Sequence, residues 1–167
     1  EVGSGGLGIT PYWAGRVVGV DIGFDDPVAA TMLPVRGSVT RLPFPDGAFA
    51  AVVCVDVLEH LPPALRGEAL GELVRITRRH LFLVYPKDDE RTRQLEAEWA
   101  RVHLESCGEP NRWLDEHTAN GLPRAELVQR ALREAAGPRA RMRCVPNVNL
   151  SVWFLINTAF YSRNPFV

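Results

Sequence analysis

The feature that most restricts this chain is an alternation of short apolar runs with longer segments of helical periodicity. Arg16–Val20, Leu33–Val35, Ala50–Val55 and His80–Tyr85 are short runs rich in β-branched or other apolar residues, and Glu1–Val2 reads as the end of another. The run AAVVCV is apolar on both faces, as a strand of a covered parallel sheet is. Arg141–Val145 is predicted as a further strand. Between the strands, Ala64–Arg79 carries Leu65, Leu70, Leu73 and Val74 at helical spacing, with Pro62 and Pro63 ahead and Arg75, Arg78 and Arg79 in its last turn. Asp88–Ser106 and Arg124–Ala136 are predicted helices as well, the second bounded by Pro123 and Gly137. This order predicts right-handed βαβ units and an α/β fold: a mostly parallel sheet with helices on both faces, in a single three-layer domain. Ligands of such sheets bind beyond the carboxyl ends of the strands.

Composition excludes several classes. A length of 167 residues, 46% hydrophobic and 23% charged, suits one domain with a core. The net charge of -1 comes with no basic stripe interleaved with aromatics, so no nucleic-acid partner is expected. Cys54, Cys107 and Cys144 are far apart and show no paired spacing, which argues against a disulfide scaffold or a zinc cluster. It favours a reducing, cytoplasmic setting. No membrane span is expected: the longest apolar candidate, Leu150–Tyr161, is too short and carries Ser151, Asn157 and Thr158. A buried strand normally brings several apolar residues before a glycine loop, so upstream sequence is expected to precede Glu1. The tail, where Asn147 and Asn149 precede SVWFLINTAFY, reads as an apolar helix covering a sheet edge or a partner, or as a chain trimmed at that end.

The strongest local signal is Glu1-Val2-Gly3-Ser4-Gly5-Gly6-Leu7-Gly8, in which Gly3, Gly5 and Gly8 satisfy G-x-G-x-x-G. A loop without Cβ atoms lets a cofactor lie on the backbone and frees N–H groups for it. A tight turn alone is the competing reading. Asp21 ends the next strand, where a carboxylate can accept from both ribose hydroxyls, although alone it could cap a helix. Loop and acid together point to an adenosine-containing cofactor. A dinucleotide fits poorly, because only Ile9–Gly15 separates the loop from the next strand and Pro11 and Gly15 keep any helix there to a turn or two. The carboxylate of Glu1 suits a cationic amine better than a pyrophosphate.

Taken in order, EVGSGGLG, VVGVDIGF and LPFPDGAFAAVVCVDVLEHL resemble the class I S-adenosylmethionine-dependent methyltransferases of the type 11-like group, over Glu1 to about Pro86. The resemblance implies a Rossmann-like fold, S-adenosyl-L-methionine as cofactor, and methyl transfer to a small-molecule acceptor. It implies that Glu1 lies near the methionine amine, and that Gly3, Ser4 and Gly5 run under the methionine and ribose. Asp21 matches the ribose acid and Ile22 the apolar residue beside the adenine. Ser38 and Val39 match the pair at the adenine amino group, Val55 faces the methionine part, and His60 lies near the reactive side. Three positions depart from the group: Ser38 where an Asp is usual, Leu7 where a third glycine is usual, and Ala50 after Phe49 where an Asp is usual. Ser38 and Leu7 keep open a catalytically weak, regulatory relative, while Ala50 reads as a fold-level difference at the strand start; a nicotinamide oxidoreductase is the third reading.

The catalytic residues are not legible. Asp56, His60 and His117 are candidate bases if the acceptor needs one. His60 could equally be a plain helix-start residue and His117 an exposed loop histidine, while Glu59 reads as structural. His103 and Cys107 stand four apart on a predicted helix, but further ligands are lacking, and no metal is expected. Trp99 and Trp113 read as packing residues. Residues 87–122 form a helical insertion, from which the resemblance implies substrate contacts and a lid. Acceptor and oligomeric state are not legible.

Overall fold

The computed structural model describes residues 1–24, 27–146 and 148–162. Strands β1 (Val17–Asp21) and β2 (Met32–Arg36) pair in parallel, with Val17 opposite Met32 and Asp21 opposite Arg36. Strands β3 (Phe49–Val55) and β4 (Thr77–Val84) form a second parallel pair, with Ala51 opposite His80 and Val55 opposite Val84. Val2 joins the two pairs through parallel bridges to Val20 and to Cys54. Its amide donates to the Val53 carbonyl at 2.8 Å, while the Gly3 amide donates to the Val20 carbonyl at 2.8 Å and the Val20 amide to the Glu1 carbonyl at 2.8 Å. The expected strand end at Glu1–Val2 is therefore a stub between β1 and β3, and the sheet order is β2-β1-Val2-β3-β4.

The predicted strands at 16–20, 33–35 and 50–55 fall within a residue or two of β1, β2 and β3. The junction of the long helix with β4 differs. Helix α1 (Pro63–Ile76) stops three residues before the expected Arg79, and β4 starts at Thr77 rather than His80. Thr77 is β-branched, its hydroxyl donates to the Leu73 carbonyl at 2.6 Å, and the Gly47 amide takes the Arg75 carbonyl at 2.7 Å, so the helix ends where the strand pairing begins. Arg78 and Arg79 thus belong to the strand.

Helix α1 turns Ala69, Leu70, Leu73 and Ile76 into the core with Val2, Val20, Val52, Cys54 and Leu58. Helix α4 (Ala125–Ala136) packs on α1 and adds Val128 to the same core. Burial pushes the Cys54 thiol up to about 12, which makes it an inert packing group. On the opposite face of β3 and β4, Ala51, His80 and Phe82 are exposed, Phe82 by 56%, so the second helical layer expected there does not cover these positions. Helices α2 (Glu90–Cys107) and α3 (Arg112–Asn120) lie instead at the carboxyl edge of the sheet, where α3 packs on the short 3₁₀ turn Leu58–His60. Asp89 caps α2 by accepting from the Thr92 amide at 2.8 Å, and Asn111 caps α3 by accepting from the Trp113 amide at 3.0 Å.

The expected strand over Arg141–Val145 does not form; these residues are exposed and irregular. Arg139, Arg141 and Arg143 alternate through the segment, and no partner edge offsets the cost of drying their guanidinium groups. The apolar tail forms α5 (Leu150–Ser162), capped by Asn149, which accepts from the Ser151 amide at 3.0 Å; Asn147 lies outside the described residues. Helix α5 packs on α2 through Trp153 against Trp99, ring centroids 5.8 Å apart. None of the helices among the described residues is long and apolar enough to cross a membrane.

Leu73 is fully buried at the centre of the α1 face. Leu73→Ala should lower the free energy of unfolding by about 2–5 kcal/mol, read by urea denaturation. A cost under about 1 kcal/mol would show that α1 does not organise the core.

Candidate functional site

Three loops leave the carboxyl edge of the sheet side by side: the glycine loop after Val2, the turn after β1, and the segment after β3. Gly3, Gly5 and Gly8 all take positive φ, at +74°, +49° and +47°. A Cβ on Gly3 would stand 2.2 Å from Val57 Cγ2, so the loop lies directly against the segment leaving β3. A Cβ on Gly5 would meet nothing within 4 Å, so this part of the loop faces open space. Asp21 holds the loop from below: its Oδ2 accepts from the Gly5 amide at 2.8 Å and its Oδ1 from the Gly23 amide at 3.3 Å. Glu1 holds the other end. Its Oε2 accepts from the Ile9 amide at 2.7 Å, and burial raises its pKa above the ordinary carboxylate value despite that bond. The two acids brace the loop as well as standing beside it, a role not legible from their spacing. After the loop, Thr10–Tyr12 makes a single 3₁₀ turn, as the short path to β1 requires.

Ile22 follows Asp21 and is 78% exposed, a large apolar side chain left uncovered at the rim. The Gly37 amide donates to the Asp21 carbonyl at 2.9 Å, which brings the Ser38–Val39 segment next to the same strand end. Ser38 is exposed, and its hydroxyl stands 2.8 Å from that of Thr40. Val39 is buried in the core, so only its backbone is free to face the edge. Val55 is half-buried at the end of β3. Glu1, Gly3, Ser4, Gly5, Asp21, Ile22, Ser38, Val39 and Val55 thus gather along one edge, on both sides of the Val2 stub.

His60 belongs to a second cluster. Its Nδ1 lies 2.7 Å from Glu116 Oε2, and its Nε2 lies 3.4 Å from Nε2 of His117. His117 Nδ1 lies 3.1 Å from Glu96 Oε1. Burial lowers the His60 pKa in spite of Glu116. Burial acts the same way on His117, but the hydrogen bond and charge of Glu96, with Glu59 and Asp56 nearby, outweigh it and hold the ring above its ordinary value. Between these rings and the core sits Glu59, 0% exposed, with both carboxyl oxygens lacking a hydrogen-bond partner. Burial pushes it up to about 8. Asp56 begins the segment with φ +50°, a left-handed conformation that aspartate adopts more readily than other non-glycine residues.

The insertion supplies Glu96, Glu116 and His117, and Arg66 of α1 locks it in place. The Arg66 guanidinium donates from Nε to the Leu58 carbonyl at 2.9 Å and from Nη2 to the Asn120 carbonyl at 3.2 Å, while Asn120 Nδ2 donates to the His60 carbonyl at 3.0 Å. Trp113 stands edge-on to His60, centroids 5.3 Å apart. A cavity of about 550 Å³ opens beside the cluster, lined among others by Arg66, Arg93, Glu96, Leu114, His117 and Asn120. The pairing of His60 with His117 across 57 positions, and the roles of Glu59, Arg66, Glu96 and Glu116, have no short-range sequence signal. His103 and Cys107 do not make a site: His103 Nδ1 lies 3.1 Å from the Glu109 carbonyl, and the ring packs on Trp99.

The match to a known family lies in the half that carries the glycine loop, and the likeness to solved structures extends beyond it. The methyltransferase domain family matches residues 1–84, half of the chain. Among solved structures, a candidate methyltransferase from Bacillus halodurans C-125 superposes with a TM-score of 0.55 at 18% identity, over 80% of this chain and 59% of that one. A protein from Pyrococcus horikoshii OT3 superposes with a TM-score of 0.51 at 16% identity, over 80% of this chain and 69% of that one. The chain therefore spans less than two thirds of the Bacillus protein. Among curated proteins, none matches. The structural likenesses share the fold, and the matched half, from the loop acid Glu1 through β4, places this chain in the methyltransferase domain family.

Proposed function

We propose that this protein transfers a methyl group from S-adenosyl-L-methionine to a small-molecule acceptor. The observation that carries the reading is the glycine loop itself: three left-handed glycines, one facing open space, with the carboxylates of Glu1 and Asp21 at its two ends. This cradle fits the cofactor. Gly3, Ser4 and Gly5 would support its methionine and ribose, Asp21 its ribose hydroxyls and Glu1 its amine. Ile22, exposed at the rim, would cover one face of the base, with Ser38 and the Val39 backbone at its edge and Val55 at the methionine side. The cofactor supplies a methyl group made electrophilic by its sulfonium charge. The chain's own task is then to align the acceptor and keep water out.

The acceptor side is assigned to residues 87–122, whose helices α2 and α3 wall the cavity beside His117. His60, Asp56 and His117 are the groups on that side able to take a proton. His60 carries its Nδ1 proton toward Glu116, which leaves Nε2 as the basic nitrogen.

Calorimetric titration with S-adenosylhomocysteine should show saturable binding. Asp21→Ala removes a charged acceptor and the brace of the Gly5 amide, and should weaken binding by at least tenfold. Absence of binding to the wild-type chain at millimolar concentration would sink the reading. Protection against unfolding by NADH, with none from S-adenosylmethionine, would replace it with a nicotinamide enzyme.

The two glycines should separate folding from binding. Gly3→Ala clashes with Val57 and strains a left-handed residue, so it should lower both the melting temperature and the affinity. Gly5→Ala meets no protein atom and costs only the left-handed penalty, about 1–2 kcal/mol, yet it fills the space facing the ligand. Its loss of S-adenosylhomocysteine affinity should therefore exceed its loss of stability; equal losses would mean the loop is a turn and not a cradle.

A further inference from the structure

We infer that Glu59, His60 and His117 form a binding site for one divalent first-row transition-metal ion of the zinc class, beside the cavity walled by α2 and α3. A carboxylate oxygen of Glu59 and one ring nitrogen of each histidine all lie within 4.8 Å of one another. The inference goes beyond methyl transfer and does not depend on it; with the ion bound, both histidines are ligands and Asp56 is the remaining candidate base.

The argument rests on where the protons sit. Glu116 Oε2 accepts from His60 Nδ1 at 2.7 Å and Glu96 Oε1 accepts from His117 Nδ1 at 3.1 Å. Each imidazole is thus held from outside by a carboxylate, the arrangement that fixes the tautomer of metal-binding histidines. With Nδ1 carrying the hydrogen, both Nε2 atoms are left with lone pairs, and these face each other at 3.4 Å. Two lone pairs so placed repel unless a shared proton or a metal cation lies between them or near their line. A tetrahedral ion with bonds of about 2.0–2.1 Å holds two nitrogens about 3.3 Å apart, close to the separation present here.

Glu59 points to the same cation independently. A fully buried carboxyl with neither oxygen hydrogen-bonded is costly, and natural cores rarely tolerate one without a further partner. In its ionised form it gains nothing from the two imidazole lone pairs and the Asp56 carboxylate beside it, whereas a bound cation satisfies the carboxylate and both rings. Two imidazoles and a carboxylate make a borderline donor set suited to zinc-like ions rather than to magnesium, which prefers oxygen alone. Three protein ligands leave coordination positions open. His117 lines the cavity, so an ion at this place can bind a molecule held there and polarise an oxygen on it.

The test is metal binding by the untagged chain, stripped with chelator, dialysed and titrated with CoCl2. One equivalent should bind, with the visible bands of low-coordinate cobalt, and one equivalent of ZnCl2 should displace it. Glu59→Gln and His117→Ala should abolish the bands. Glu116→Gln leaves all three ligands in place and changes a half-exposed side chain, so it should fold normally, and it should weaken cobalt binding by about 10–100-fold. Circular dichroism and S-adenosylhomocysteine binding report separately on the fold and on the cofactor loop of each variant. No cobalt bands in the wild-type chain, or bands unchanged in Glu116→Gln and His117→Ala, would overturn the proposal and leave the two rings sharing a proton.

Discussion

The structure depends on the few backbone hydrogen bonds that tie Glu1–Ser4 to two strands at once. Val2 takes its bond from β3, while Glu1 and Gly3 take theirs from β1. Without this stub, β1–β2 and β3–β4 are separate two-stranded pairs, and a pair alone is marginal in water. With it, the glycine loop, Asp21 and the segment Asp56–His60 leave the same edge at adjacent positions. The loop's conformation follows from that crowding: Gly3 runs against Val57, and no side chain fits between.

The second organising contact is Arg66. Its guanidinium takes carbonyls from the turn after β3 and from the end of α3, so an insertion from late in the chain is fixed over residues from its middle. That places His117 against His60 and closes the space above Glu59. A buried carboxyl pushed up to about 8 disfavours its ionised form, and it persists here because Leu58, on its flank, is part of the core and holds the turn in place.

The LPFPDG segment shows how a motif and its cause can differ. Leu42 and Phe44 share the core with Val2, and the segment's hydrogen bonds to other elements run to α1. Arg75 of α1 donates to the Phe44 carbonyl at 2.7 Å, the Leu42 carbonyl at 3.1 Å and Asp46 at 2.9 Å, while Glu72 accepts from the Leu42 amide at 2.7 Å. Hydrogen bonding to Arg75 holds the Glu72 carboxyl below its ordinary value. The block clamps the entry to β3 against α1, and through β3 it sets the register that brings Asp56 to the edge. The segment carries the family resemblance in the sequence, and the bonds it makes here are structural.

What the sequence by itself determined is the order of strands and helices, the parallel α/β class and the grouping of glycine loop and Asp21, because periodicity, turn residues and short connections are local properties. Where local signals conflicted, as at Ile76–Thr77, or where a run of alternating arginines resembled a strand at 141–145, the tertiary structure decided, since pairing needs a partner edge. It also decided that the insertion lies over the carboxyl edge rather than across the open face of β3–β4. The cluster of Glu59, His60 and His117 was beyond sequence reading for the same reason. A ligand set is made by distance in space, and here that distance is set by Arg66, Asn120 and the packing of α3 on a three-residue turn.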